Sequence, residues 1–298
     1  MQTLVTVLMP VYNAGLFLEL AMNSILNQTL QEFKLFIIND GSTDNSQDIL
    51  DRFRIKDPRI TLVNRENKGI SRTRNELLAR AQSEFIAWMD ADDLSLPNRL
   101  ESMLNWLRIH KDYLAIGCGA ELIDSEGLPI CTWPLLREHN TIDAWHISGR
   151  GGGIIFPSSM MRLDPVRKVG GFRNDLTGAE DIDLFLKLAE KGKLHNISTV
   201  LYQYRQHISS VSHYKLREIV RDTSSVVAEA FLRRGLVNNK IVYREQIDSI
   251  SQIHAKWAWW ALTAGNKQTA RKHAWIAFRL APFFLGNIKL LVCALRGY

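Results

Sequence analysis

Cysteine is scarce: Cys118, Cys131 and Cys293 are the only three in 298 residues, far apart and never in a Cys-x-x-Cys pair. That excludes a disulfide scaffold and argues against a cysteine-built structural zinc site. Lys and Arg are missing from the first 33 positions, so the basic start of a secretory leader is absent and the chain reads as cytosolic. No apolar run is a convincing membrane span. Leu4–Val11 is short and runs into Pro10, and Leu280–Leu295 carries Lys289 and is interrupted by Pro282, Gly286 and Asn287. Also absent are GxxxxGK[ST], GxGxxG and HExxH, and the Gly149–Gly153 run has the wrong spacing for the glycine-rich motifs. Those absences weigh against kinase, ATPase, dehydrogenase and zinc-protease readings.

What is present is an ordinary globular composition, 46% hydrophobic and 23% charged, enough for one large domain or a domain with an appendage. The net charge of +6 is unevenly placed. Residues 215–298 hold 14 Lys/Arg against 5 Asp/Glu, a balance of +9, while residues 1–214 balance at −3. Two regions with different partners are expected.

Apolar runs alternate with amphipathic stretches through the first half. Strands are expected at Leu4–Met9, Phe33–Asn39, Ile60–Val63, Phe85–Met89 and Leu114–Ile123. Helices are expected at Leu16–Leu26, from caps at Ser42 and Thr43 through Phe53, and at Ile70–Ala81. Such alternation implies an α/β fold with a mostly parallel sheet covered by helices on both faces. In these sheets ligands bind at the carboxyl ends of the strands. The polar clusters sit there: Tyr12-Asn13, Asp40-Gly41-Ser42 and Asp90-Ala91-Asp92-Asp93. Residues 127–153 read as a long irregular loop. Glu180–Lys191 reads as a helix, Val200–Tyr204 as a late strand, and everything from Lys215 onward as helical.

Three carboxylates in four residues repel one another unless a cation or donors offset them. Asp90-x-Asp92-Asp93 is therefore either a site for a hard divalent cation or a solvated turn in which Asp93 caps the next helix. Glu180-Asp181 is either first-turn charge complementation of the helix dipole or a general base aimed at the sheet rim. Asn67-Lys68-Gly69 with Arg72 and Arg74 can be a loop and a solvated helix face. His207 alone reads as a surface histidine.

Taken in order, Pro10-Val11-Tyr12-Asn13, Asp40-Gly41-Ser42-Thr43-Asp44, Asn67-Lys68-Gly69, Asp90-Ala91-Asp92-Asp93, Gly170-Gly171-Phe172 and Glu180-Asp181 closely resemble glycosyltransferase family 2, over roughly residues 3–212. The resemblance implies a GT-A fold, with a Rossmann-like, mostly parallel sheet flanked by helices, and transfer of a sugar from a nucleotide diphosphate-sugar with inversion. It assigns Pro10, Tyr12 and Asn13 to the base pocket and Asp40 to a hydrogen bond with the base, often uracil. Lys68, Gly69 and Arg72 close over the nucleotide, and Asp90 faces the ribose or the metal shell. Asp92 holds Mg²⁺ or Mn²⁺, Asp181 is the catalytic base with Glu180 supporting it, and His207 lies near the diphosphate as a further metal-side residue.

The expected division is a catalytic domain over 1–212 and a basic, Trp-rich helical region over 213–298. The expected partners are a nucleotide-sugar donor and a saccharide or lipid-linked acceptor. Region 215–298 serves an anionic membrane surface, placing the enzyme peripherally on the inner face of the membrane, or else is a helical appendage that packs on the catalytic domain or forms a homodimer. No nucleic-acid module accompanies the basic residues. Trp133 and Trp145 are candidates for stacking on acceptor sugars, and Arg150 and Arg162 for an acceptor phosphate; packing and solvation are the alternatives. A catalytically silent sugar-nucleotide-binding or scaffolding protein is the rival from another class, and a nucleotidyltransferase ranks lower because Pro10–Gly15 has one Gly and no Lys or Arg.

Overall fold

A computed structural model describes residues 3–209, 216–237 and 248–298. The boundary expected at 212/213 lies outside the described residues. Two compact units form, neither continuous in sequence. The first falls within Met1–Gly119, Leu135–Tyr202 and Glu218–Val242, the second within Ala120–Pro134, Gln203–Arg217 and Tyr243–Tyr298.

The sheet begins with β1 (Val5–Val11), β2 (Phe33–Asp40), β3 (Ile60–Arg65) and β4 (Phe85–Trp88), parallel and ordered β3-β2-β1-β4. Every residue of β1 is buried, as expected of a parallel strand covered on both faces, and its apolar residues therefore run without alternation. Between these strands lie α1 (Leu18–Leu26), α2 (Ser46–Lys56) and α3 (Ile70–Arg80). The helix α2 starts later than its expected caps. Ser42 and Thr43 instead bind Asn13: the Asn13 N–H donates to Ser42 Oγ at 3.0 Å, and the Thr43 N–H donates to Asn13 Oδ1 at 2.8 Å. The two turns at the ends of β1 and β2 are thus tied together.

Beyond β4 the sheet turns antiparallel. β4 pairs with β8 (Met160–Arg162), and β8 with β6 (Tyr113–Ile123), followed in the sheet by β9 (Lys193–Arg205) and the two-residue β5 (Leu94–Ser95). The strands expected at Leu114–Ile123 and Val200–Tyr204 fall within β6 and β9; β8 and β5 were not expected, because strands of two or three residues carry no periodicity. The expected loop over 127–153 contains β7 (Pro129–Thr132), paired with β6, and α5 (His139–Ile147). The helices α4 (Arg99–Ile109), α6 (Leu163–Lys168) and α7 (Glu180–Ala189) complete the sequence up to β9.

The core of the first unit contains Leu8, Ile38, Leu77, Trp88, Phe156, Phe172 and Phe185. Trp88, Phe156 and Phe172 meet at ring distances of 5.1 to 5.5 Å. A smaller cluster joins Ile182 and Leu186 of α7 to Val226, Val227 and Ala230 of α8 (Leu216–Arg233). Asp222 of α8 accepts from the Thr177 and Gly178 N–H groups, just before α7.

The second unit has its own core, built from Leu122 and Ile130 of the β6–β7 hairpin and from α9 (Ile250–Thr263), α10 (Lys267–Leu280) and α11 (Leu285–Arg296). Ser249 and Gln252 form a reciprocal capping box at the start of α9. Ala258, Ala261, Ala270, Ala274 and Ala294 are all fully buried, and their small side chains let the helices pack closely. Leu290 is the large aliphatic that α11 buries completely. Leu290→Ala is expected to cost about 2–5 kcal/mol by leaving a cavity, read as a lowered midpoint in urea denaturation.

Candidate active site

The parallel strands deliver polar residues to one rim. The β1 end carries Pro10, Tyr12 and Asn13, with Tyr12 exposed and Asn13 held at φ 48 by its bonds to the next turn. A positive φ is uncommon outside glycine, and Asn tolerates it best. The strand order places β1 between β2 and β4, the position where successive connections diverge and a crevice opens.

Asp40 ends β2 and is buried. Its Oδ1 accepts from Arg65 and from the Lys68 N–H, and its Oδ2 accepts from the Gly69 N–H at 3.0 Å. In this structure Asp40 therefore holds the β3–α3 loop, and that loop presents Lys68. Arg72 follows one helical turn later, and both cations are exposed.

Asp90, Asp92 and Asp93 follow β4, and each offers a carboxylate oxygen within 4.8 Å of the others. An all-oxygen donor set suits Mg²⁺ or Mn²⁺. Asp93 is not a helix cap, as its alternative reading had it; β5 follows it, and α4 starts at Arg99 after Asn98. Instead Asp93 is fully buried and its Oδ2 accepts from the Tyr202 hydroxyl at 2.8 Å, while the Asp90 N–H donates to the same hydroxyl at 3.4 Å. Arg99 lies beneath, also fully buried, with its guanidinium 5.0 Å from the Tyr202 ring centre. It donates to Ser95 Oγ and to the Trp88 and Pro157 carbonyls. The acidic loop thus rests on a buried cation and a tyrosine.

The second acidic pair opens α7. Ala179, the residue before it, sits in the left-handed region at φ 62, a conformation that costs energy in a non-glycine residue and sets how the helix start is presented. Glu180 is nearly buried and Asp181 half-buried.

Arg74 joins the two acidic sets. Its Nη1 lies 2.5 Å from Glu180 Oε1, its Nη2 lies 4.0 Å from Asp90 Oδ1, and its guanidinium sits 4.3 Å from the Phe156 ring centre. It is buried, so the solvated-face reading of Arg74 fails. A signal was available: Arg74 stands three, four and seven residues before Leu77, Leu78 and Ala81, on the apolar side of α3. The Gly170-Gly171-Phe172 motif also finds its reason here. Asn75 Oδ1 accepts from the Phe172 N–H and its Nδ2 donates to the Phe172 carbonyl. Gly171 has φ +63, and a Cβ there would come within 2.7 Å of Asn75 Oδ1. Phe172 is thereby fixed against Trp88 and beside Arg74.

Concentrated negative charge follows from this arrangement. Asp181 is pushed up to about 6, first by burial and then by the charge of Glu180, with Arg74 opposing. Asp90 is also raised to about 6, by burial above all; Arg74 pulls it down, and Asp92, Glu180 and Asp181 push it up.

Other expected residues are placed as follows. His207 belongs to the second unit, where its Nδ1 hydrogen-bonds Ser209 Oγ at 2.8 Å; the acidic cluster is formed by Asp90, Asp92 and Asp93. Trp133 packs on the core of the second unit. Trp145 donates to the Gly151 carbonyl and stacks under Arg150. Arg162 donates to the Tyr113 and Leu107 carbonyls and bridges to Glu84, a structural role.

Comparison with known proteins agrees with this geometry. Residues 6–129 match the model for Glycosyl transferase family 2. The putative glycosyltransferase EpsE of Bacillus subtilis is 31% identical over 244 residues, a match covering 80% of this chain and 86% of EpsE. Hyaluronan synthase of Pasteurella multocida is 25% identical over 284 residues, covering 84% of this chain but 27% of the synthase. The chain spans between about a quarter and a third of the length of that synthase and of two chondroitin synthases it also matches. Among solved structures, Staphylococcus aureus TarS 1–349 in complex with UDP-GlcNAc superposes with a TM-score of 0.60 at 16% identity, covering 100% of this chain and 92% of that one. The mannosyltransferase PcManGT of Pyrobaculum calidifontis, in complex with GDP-Man and Mn²⁺, gives 0.56 at 19% identity, covering 100% and 81%. These structural likenesses establish the GT-A fold, and the family model together with the 31% identity to EpsE over most of both chains shows that the chain belongs to glycosyltransferase family 2.

Proposed function

We propose that the chain transfers a sugar from a UDP-linked donor to a hydroxyl of a saccharide or lipid-linked acceptor, with inversion and with a divalent cation, in the assembly of a surface polysaccharide or glycolipid. The observation that carries this reading is the pair of acidic sets joined through Arg74. One set is chemically suited to a cation and the other to proton removal.

Asp92 and Asp90 would hold Mg²⁺ or Mn²⁺ on the donor diphosphate, with Asp93 in the same cluster. The bound cation would supply Lewis-acid stabilisation of the negative charge on the leaving diphosphate. Pro10, Tyr12 and Asn13 line the base pocket, with Asp40 accepting from the base and fixing the loop of Lys68 and Gly69. Lys68 and Arg72 bring positive charge over the nucleotide. Asp181 takes the proton of the acceptor hydroxyl as that oxygen bonds to the anomeric carbon. The bond from that carbon to the diphosphate oxygen breaks, and its electron pair leaves with the nucleoside diphosphate. One displacement inverts the centre. Glu180, anchored by Arg74, stands beside Asp181, whose carboxyl is pushed up by burial and by this neighbour. A UDP donor and polysaccharide chemistry are supported by the UDP-GlcNAc complex of TarS and by the hyaluronan and chondroitin synthases among the relatives.

Three experiments test the assignment. Asp181→Asn should lower kcat by about 10²–10⁴-fold while UDP binding by calorimetry stays within about twofold of wild type; since the base must be ionised, wild-type activity should rise with pH along a limb centred near 6. Thermal-shift measurements with UDP, GDP, dTDP and ADP, each with and without Mn²⁺, should show a metal-dependent rise for UDP. That rise should disappear in Asp92→Ala and weaken below about pH 6, where protons compete for Asp90. Arg74→Met removes the opposing charge and should move the rising limb of the pH–rate profile upward by about one unit, with Arg74→Lys recovering part of the shift.

A further inference from the structure

The helix α11 has two apolar faces. Its inner face buries Leu290 and Ala294, and Asn287 donates from the same side to Ser251 Oγ and to the Ala277 and Ala281 carbonyls. Its outer face carries Leu285, Ile288, Val292 and Leu295, all exposed, at a spacing of three, four and three residues. That spacing makes one continuous stripe, where a surface helix of a globular protein would be polar. The turn before the helix adds Phe283 and Phe284, with Phe283 95% exposed.

The charge around this stripe is of one sign. From Ile250 to Tyr298 there is no Asp or Glu, against seven Lys and Arg. Lys272 is neutralised by Asp124 and Glu126 from the β6–β7 hairpin, and Arg271 caps the carbonyls at the end of α11. Arg279, Lys289 and Arg296 are exposed, and helical periodicity places Lys289 and Arg296 along one edge of the apolar stripe.

We propose that α11 and the Phe283–Phe284 turn form a docking surface for an anionic lipid bilayer, with the helix lying in the plane of the headgroups. Aliphatic and phenyl side chains flanked by cations match that environment. A second copy fits poorly, because a two-fold contact would set Arg279, Lys289 and Arg296 against their own copies with no carboxylate on these helices to offset them. A nucleic acid would meet the cations but leave the aliphatic stripe without a partner. The helix lies on the bilayer and does not cross it: its 12 residues extend about 18 Å, short of a hydrocarbon core of about 30 Å. No helix among the described residues is long and apolar enough to span a membrane. The proposal does not rest on the transfer reaction, and its test needs neither donor nor acceptor.

The test is flotation of the full chain with vesicles of phosphatidylglycerol and phosphatidylcholine, compared with phosphatidylcholine alone. The expected result is binding to the anionic vesicles that falls at least about tenfold on neutral ones and weakens in high salt. F283S/F284S and I288Q/V292Q should each lower the partition by about tenfold, and K289E/R296E should remove the preference for anionic lipid, with thermal midpoints unchanged because all six side chains are exposed. Failure of the wild-type chain to float with anionic vesicles would overturn the proposal, as would unaltered flotation of folded F283S/F284S. A concentration-dependent dimer abolished by F283S/F284S in lipid-free solution would assign the face to a second copy. Tight binding to duplex DNA lost in the same variant would assign it to nucleic acid.

Discussion

Five carboxylates in one region of a protein are a liability before they are a tool. Asp90, Asp92, Asp93, Glu180 and Asp181 come from two places in the chain, and like charges at these separations push both apart. The buried guanidinium of Arg74 opposes that push, holding Glu180 directly and facing Asp90. Its flat face rests on Phe156, and Phe156 packs on Trp88, the last residue of β4. The acidic loop, α3 and the start of α7 therefore depend on one side chain. A lysine would give the charge without the fork and the flat face. Arg99 and Tyr202 repeat the device on the other side, under Asp93.

The parallel half of the fold was legible because its physics is local. A strand covered on both faces must be apolar along its whole length, and the turn that follows must be polar. Val5–Val11 with Tyr12-Asn13, and Phe33–Asp40 with its turn, both show this. The other half was legible only in its long strands, read at Leu114–Ile123 and Val200–Tyr204 inside β6 and β9. Met160–Arg162 is a strand only because β4 and β6 lie on either side of it, and no pattern of three residues can announce that. The cap alternative for Asp93 failed for a related reason: its partner, Tyr202, is 109 residues away. Ser42 and Thr43 looked like helix caps, yet a nearer claim came from Asn13 on the neighbouring turn. Arg74 was the readable miss, a charge on the apolar side of a helix whose partner, Glu180, lies 106 residues on.

Within the first unit the work divides along the strand order. The four parallel strands and their turns carry Tyr12, Asn13, Asp40, Lys68 and the Asp90 loop. The antiparallel strands supply support, through Tyr202 on β9, while α7 brings the second acidic pair. In the Gly170-Gly171-Phe172 motif, Gly171 leaves the room that Asn75 needs to clamp Phe172, which stands beside Arg74. A motif can thus mark a catalytic region by supporting its support.

The two-faced helix α11 bears on how the protein behaves as a colloid. In lipid-free buffer, what keeps one exposed stripe from meeting another is the repulsion among Arg279, Lys289 and Arg296 on approaching molecules. That repulsion fades as the screening length shrinks from about 30 Å at 0.01 M salt to about 10 Å at 0.1 M, whereas attraction between the apolar stripes does not. Added salt, the usual remedy for a basic protein that sticks to surfaces, therefore works against this one by removing the barrier that keeps its molecules apart.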